Sequence, residues 1–242
     1  MASNTESARG RLRARPVAAE PIGEGPAVGL RSLGTGAPAR GDHHLYVPGG
    51  YRAWRPAPMS ILLHGAGGDA RATLDLLRDL ADASGIILLA PTSRDYTWDV
   101  IVGGYGPDVE AIDSALQVTF SRYAVDPSRL AVGGFSDGAS YALSLGINNG
   151  DLFTDVLAFS PGFMAPASHV GAPRFFVSHG TRDGVLPIER CSRRIVPQLE
   201  RMGYGVTYRE FDGGHTVPPE IALEAAGRFA LDERGGKDPG ST

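Results

Sequence analysis

The chain has 242 residues, a formal net charge of −4 and 42% hydrophobic residues, enough for one large domain or two small ones and too apolar for wholesale disorder. No run approaches the ~20 apolar residues that span a bilayer, and the mildly acidic charge is spread along the chain, which argues against nucleic acid as a partner. The only lysine is Lys237, in a Gly/Pro-rich terminus, so phosphate-loop, Schiff-base and Ser-Lys chemistries in the folded body are excluded. The single cysteine, Cys191, permits no intramolecular disulfide and no cysteine zinc site. It fits a reducing compartment, so the expected location is cytoplasmic.

Residues 1–25 are rich in Ala, Arg, Gly and Pro, with Arg9, Arg11, Arg13 and Arg15 alternating with other residues. No apolar core of a secretory signal follows them. The expectation is a flexible N-terminal tail over 1–25, one folded domain over 26–232 and a flexible C-terminal tail over 233–242. Runs near Val28–Leu33 and His44–Val47 read as antiparallel edge strands. After them, Ser60–Leu63, Ile86–Ala90, Leu130–Gly133, Val156–Phe159, Phe175–Ser178 and Val206–Tyr208 are short buried-strand runs. Helical spacing covers 70–83, 107–121, 137–149, 187–202 and 218–231, with Leu74, Leu77, Leu80 and Ala81 on one face and Ile112, Ala115, Leu116 and Phe120 on another. Strands alternating with helices of this length imply one α/β domain, a mostly parallel sheet covered by helices on both faces.

Gly134-Phe135-Ser136-Asp137-Gly138 fits GxSxG and lies directly between an expected strand and an expected helix. In such an elbow the small residues two before and two after the serine relieve crowding, and the hydroxyl is held exposed at the strand's carboxyl end. A hydroxyl needs a base, and the base an orienting acid. Two later strands run into His179-Gly180-Thr181-Arg182-Asp183 and Asp212-Gly213-Gly214-His215. Asp183 and His215 therefore stand in the right order, at carboxyl ends of strands, where open α/β sheets place their ligand sites. Asp155 precedes its strand and falls at the wrong end. Asp212 reads as a turn residue and His179 as a packed or hydrogen-bonded one.

A strand also runs into His64-Gly65-Ala66-Gly67-Gly68. Glycines there let backbone N–H groups approach a substrate oxygen. The expected oxyanion donors are the N–H groups of Ala66 and of Asp137, the latter opening a helix whose positive end favours an anion. His64 reads as a loop organiser. The same glycines match a dinucleotide fingerprint, but the next strand ends in Ala90-Pro91-Thr92 without the acid that would hold a ribose.

GFSDG, HGTRD and GGH, preceded by HGAGG, resemble the α/β-hydrolase superfamily over about residues 45–230. They are most similar to its small phospholipase/carboxylesterase branch, related to acyl-protein thioesterases and to bacterial feruloyl or polyhydroxyalkanoate esterases. The resemblance implies Ser136 as nucleophile, His215 as general base then acid, Asp183 as its orienting partner, and Ala66 and Asp137 as oxyanion donors. It implies hydrolysis of a small-molecule carboxylic ester through an acyl-enzyme, with no metal and no organic cofactor. Thioester or amide hydrolysis would use the same residues, and a non-catalytic ligand-binding protein on this fold is the remaining alternative. Position 137 is a departure, since relatives often carry Gln or Asn there, and a carboxylate beside the hole is unhelpful unless it points away.

Trp98, Tyr105, Phe163, Leu186 and Val217 lie in loops or element ends near these segments and are the candidate substrate-binding residues. Residues 161–173, with Pro161, Gly162, Pro166, Gly171 and Pro173, make a loop rather than a helical cap, so no lid domain is expected. A homodimer stays open.

Overall fold

The computed structural model describes residues 6–16, 27–34 and 40–230. Among the described residues eight strands form one sheet: β1 (Gly29–Ser32), β2 (His44–Val47), β3 (Ala57–Leu63), β4 (Ile87–Ala90), β5 (Val125–Phe135), β6 (Asp155–Phe159), β7 (Arg174–Gly180) and β8 (Val206–Phe211). Their spatial order is β1-β2-β4-β3-β5-β6-β7-β8. β2 runs antiparallel to both β1 and β4, and every pairing from β4 to β8 is parallel. Among the described residues from 27 on, the helices are α1 (Ala70–Thr73), α2 (Arg78–Ser84), α3 (Asp99–Val102), α4 (Pro107–Arg122), α5 (Asp137–Asn148), α6 (Ser192–Arg201) and α7 (Pro219–Ala230).

The two faces of the sheet follow from the period-two alternation of the strands. Ile61, Leu63, Val132, Val156 and Val177 pack on one side with Ile112, Leu116, Leu145 and Leu199 of α4, α5 and α6. Leu62, Ala131, Leu157, Phe159 and Phe176 face the other side beneath Leu74, Ala81, Ala225 and Phe229. Both faces are thus covered, as the near-continuous apolar strands required. The sheet grows from β3 outward to β4, and the chain then crosses to lay β5 on the opposite side of β3. The helices that follow β3 and β5 therefore cover opposite faces, which makes the carboxyl ends of these two strands the switch point where open α/β sheets place their ligand sites. The α/β fold read from the sequence is the observed one.

Local differences have local causes. The helix expected over 70–83 is interrupted: a 3₁₀ turn at Leu74–Leu76 and a non-helical Leu77 (φ −130°, ψ 5°) separate α1 from α2. The apolar spacing survives the break because Leu74, Leu77 and Ala81 are all buried. The helix expected over 187–202 likewise begins as a 3₁₀ turn at Ile188–Arg190, broken from α6 at Cys191 (φ −113°, ψ −105°). α3 has no apolar periodicity long enough to announce it.

The largest correction concerns the N-terminal segment. Residues 6–16, expected within a flexible tail, lie against the domain. Leu12 is 1% exposed, and its N–H donates to Asn149 Oδ1 at 2.8 Å while Asn149 Nδ2 donates to the Gly10 carbonyl at 2.7 Å. Asp113 Oδ1 accepts the N–H groups of Arg13 and Ala14 at 2.6 and 2.8 Å. The Arg11 guanidinium meets both oxygens of Asp151 at 2.8 and 2.9 Å, and Arg15 adds a third contact at 2.7 Å. Arg11, Arg13 and Arg15 thus form one side of a stretch over 11–16 whose other side, Leu12 and Ala14, is buried, whereas Arg9 lies in the turn over 6–10. The rest of the expected tails, residues 1–5, 17–25 and 233–242, lies outside the described residues.

Between β6 and β7, residues 160–173 carry no helix. They are clipped along α5 by three side chains spaced four apart. Ser140 Oγ accepts Gly162 N–H at 2.9 Å, Ser144 Oγ accepts Ala165 N–H at 3.0 Å, and Asn148 Oδ1 accepts the N–H groups of Ala167 and Ser168 at 2.9 Å each. No helical cap is inserted at this point.

Candidate active site

Ser136 follows the strand β5 and caps the helix α5. It adopts φ 58° and ψ −121°, a conformation rare for a residue with a side chain, and such strain costs roughly 1–3 kcal/mol. The two flanking glycines show why the turn accepts nothing larger. A Cβ on Gly138 would fall 2.0 Å from the Leu63 carbonyl oxygen, and one on Gly134 would fall 2.5 Å from the Gly138 backbone. The elbow is therefore pressed against the end of β3, which brings Ser136 beside the loop that follows β3.

His215 Nε2 lies 2.9 Å from Ser136 Oγ, and His215 Nδ1 lies 2.6 Å from Asp183 Oδ2. The three residues come from the ends of β5, β7 and β8, which the parallel pairing of β5 through β8 gathers on one rim. The Phe135 ring packs against the imidazole at 4.6 Å between centroids. Asp183 is itself held: its Oδ1 accepts the N–H groups of Val185 and Leu186 at 2.9 and 2.8 Å. Burial works to raise the Asp183 pKa, but the bond to His215 and the two N–H groups outweigh it and hold the carboxyl below its ordinary value.

His179 completes the support for Asp183. Its Nε2 lies 2.8 Å from the Leu186 carbonyl and 3.2 Å from Asp183 Oδ2, and its Nδ1 meets Ser192 Oγ at 2.7 Å. Burial lowers its pKa, so the ring is neutral with the proton on Nε2 and Nδ1 accepting from Ser192. Asp212, by contrast, is exposed and pairs with Arg182.

The loop after β3 is organised by His64. Nε2 of this buried ring accepts the Ser93 N–H at 3.1 Å, so the proton sits on Nδ1 and is given to the Gly65 carbonyl at 2.7 Å. Burial lowers the His64 pKa, in keeping with a neutral ring. Gly67 N–H donates to the Tyr96 carbonyl at 2.7 Å and Gly68 N–H to Gly65 at 2.9 Å. Among the described residues the N–H groups of Ala66 and Asp137 have no acceptor, and Ala66 is exposed. The Asp137 carboxylate is turned to Thr97, accepting its hydroxyl at 2.6 Å.

The five candidate substrate-binding residues separate. Trp98 is fully buried; it stacks between His64 and Tyr141, and its Nε1 donates to the His64 carbonyl at 2.8 Å. It supports the loop from beneath and offers no surface to a substrate, a correction to the sequence reading. Tyr105 stacks on Tyr141 and donates its hydroxyl to the Ala165 carbonyl at 2.7 Å, so it too packs inward. Leu186 follows Asp183 and packs at Gly162, and Phe163 is half-buried beside it in the segment clipped to α5. Val217 lines a groove of about 760 Å³ between α2 and α7, with Leu76, Leu80 and Leu223. Sequence reasoning passed over Phe135, Thr97 and Ser192 as parts of the site, while His179 is the packed, hydrogen-bonded residue it was expected to be. Of these only Phe135 carried a signal, as the residue adjoining the serine of the elbow. Among the described residues no group of three or more His, Cys, Asp or Glu side chains is arranged to hold a metal ion.

No family model matches the chain, and no curated protein does. Solved structures do. Thermogutta terrifontis Est2, a thermophilic esterase with propionate bound, superposes with a TM-score of 0.66 at 17% identity, over 85% of this chain and 94% of that one. FphF, a fluorophosphonate-binding serine hydrolase of Staphylococcus aureus, gives 0.64 at 13% identity over 86% and 98%. Esterase PE8 gives 0.62 at 21% identity over 82% and 97%. At these identities the likeness establishes a shared fold, the α/β-hydrolase fold.

Proposed function

We propose that the protein is a serine carboxylic ester hydrolase acting through Ser136, His215 and Asp183. The observation that carries this reading is the unbroken hydrogen-bond chain from Ser136 Oγ through both nitrogens of His215 to Asp183 Oδ2, on a serine held in a strained elbow. With Asp183 accepting at Nδ1, the proton of neutral His215 is fixed there and Nε2 is free to take the serine proton. Ser136 then attacks the ester carbonyl, and the carbonyl oxygen becomes an oxyanion in front of the Ala66 and Asp137 N–H groups. His215 returns the proton to the departing alcohol. Water, activated by the same imidazole, releases the acid from the acyl-enzyme.

Positioned proton transfer contributes about 10²–10⁴-fold and one oxyanion donor roughly 10²–10³-fold. No metal or organic cofactor has a step in this sequence. That the Est2, FphF and PE8 structures are described as esterases or serine hydrolases supports the reading. The site is reached without a covering domain between β6 and β7, which favours dissolved esters with short acyl groups.

The test is a series of p-nitrophenyl esters of increasing acyl length, with matched thioesters and anilides, assayed on wild type and Ser136→Ala. Ester turnover in wild type that disappears in Ser136→Ala supports the proposal. Turnover confined to thioesters or anilides would reassign the substrate class, and no turnover of any would reduce the site to ligand binding.

A further inference from the structure

Asp137 follows the proposed nucleophile directly, and its main-chain N–H is assigned above to the oxyanion. A carboxylate on that same residue repels the charge the site has to stabilise, and in a partly desolvated site such repulsion is strong. The direction of this one side chain therefore matters to the rate. Its Oδ2 accepts the hydroxyl of Thr97 at 2.6 Å, and Thr97 is 8% exposed, whereas Ala66 and Gly67 of the facing loop are exposed. The carboxylate is drawn toward a buried donor rather than toward the exposed loop after β3.

Thr97 is itself held on both sides by contacts to the loop after β3. The carbonyl of Tyr96 accepts the Gly67 N–H at 2.7 Å. The indole of Trp98 donates to the His64 carbonyl at 2.8 Å and is fixed between the rings of His64 and Tyr141. The segment 96–98 thus joins the two halves of the proposed oxyanion hole, the loop after β3 and the start of α5, and the Thr97 hydroxyl is its hydrogen bond to Asp137.

We infer that Thr97 is a positioning residue: its hydroxyl holds the Asp137 carboxylate away from the developing oxyanion and so keeps the Asp137 N–H usable as a donor. The inference rests on the proposed Ser136-dependent hydrolysis and makes position 137 tolerable as Asp. It is specific to charge, which separates it from a general packing role.

The experiment is a double-mutant cycle on p-nitrophenyl acetate hydrolysis. Thr97→Val keeps the shape and removes the donor, so kcat falls at least ten-fold while KM changes less than two-fold, because the oxyanion exists only in the transition state. Thr97→Ser retains the donor and stays within about three-fold of wild type. In the Asp137→Asn background the charge is gone, and adding Thr97→Val costs less than two-fold further. Should Thr97→Val fail to fold, as judged by circular dichroism, Thr97→Ala takes its place in the cycle. Equal losses in both backgrounds would show Thr97 to be merely structural, and a kcat unchanged by Thr97→Val would show that the carboxylate needs no restraint; either overturns the inference. Loss of Ser136-dependence in wild type would instead overturn the proposed function.

Discussion

The rings of Phe135 and His215 lie 4.6 Å apart with their planes inclined by 39°, so the residue before Ser136 also braces the imidazole that reaches it. The side chain is half-buried and packs against the apolar layer under α1, α2 and α7. Phe135→Ala frees the ring to tilt, and kcat drops about ten-fold through misorientation, with KM little changed. Phe135→Tyr retains the contact and most of the rate. Equal kcat for wild type and Phe135→Ala would remove Phe135 from the positioning of His215.

Asp183, which bonds His215, and Asp212, which lies three residues before it in the chain, are predicted to behave very differently. In Asp183→Asn the amide turns an N–H toward His215 Nδ1 and favours the wrong tautomer, a change worth about 10³–10⁴-fold in kcat. Asp212→Asn breaks only an exposed pair with Arg182 and alters kcat less than about three-fold. Steady-state kinetics on one soluble ester compare them; a larger loss in Asp212→Asn would mean the orienting acid is misassigned.

Much of this arrangement was legible in the sequence because it depends on chain order and strand ends. GxSxG between a strand and a helix located Ser136, and the later strand ends located Asp183 and His215. What escaped depends on which way a side chain turns. Trp98 and Tyr105 sit in loops, which suggested access, yet both face inward onto Tyr141. Thr97 has no motif, since its partner lies 40 residues away. The segment 6–16 reads as a solvated Arg-rich stretch because Asn149, Asp113 and Asp151, which bind it, are remote in sequence. Periodicity likewise indicated the buried face of α1 and α2 but not the break at Leu77, which the spacing tolerates.

Asn149 is fully buried, with its side-chain amide bridging Leu12 and Gly10. Asn149→Ala leaves a buried N–H and a carbonyl without partners, at about 1–3 kcal/mol per group. The expected result is a midpoint of thermal unfolding lower by about 5–10 °C. Arg11→Ala, whose partner Asp151 is partly exposed, lowers it by less. Scanning calorimetry decides. A larger shift for Arg11→Ala would assign the docking to the ion pairs rather than to the buried amide.

Burial, opposed by the Arg94 N–H and reinforced by the neighbouring Asp99, pushes the Asp108 pKa up to about 6. A carboxyl raised above its unfolded value holds a proton that the unfolded chain has released. Its contribution is complete below pH ~4 and is lost as pH rises through ~6. The unfolding free energy of wild type relative to Asp108→Asn therefore falls by up to about 3 kcal/mol between pH 4 and pH 7. Urea unfolding at several pH values measures it, and parallel curves for the two proteins would contradict a raised pKa.

Nucleophilic attack by Ser136 is read out by intact-protein mass spectrometry after reaction with a fluorophosphonate, which phosphonylates the serine oxygen as fluoride leaves. A single adduct is expected on wild type, mapped by digestion to the peptide containing Ser136. None is expected on Ser136→Ala, and formation is strongly slowed on His215→Ala and Asp183→Asn. An adduct of equal rate and yield on Ser136→Ala, or one mapped to another residue, would contradict that attack.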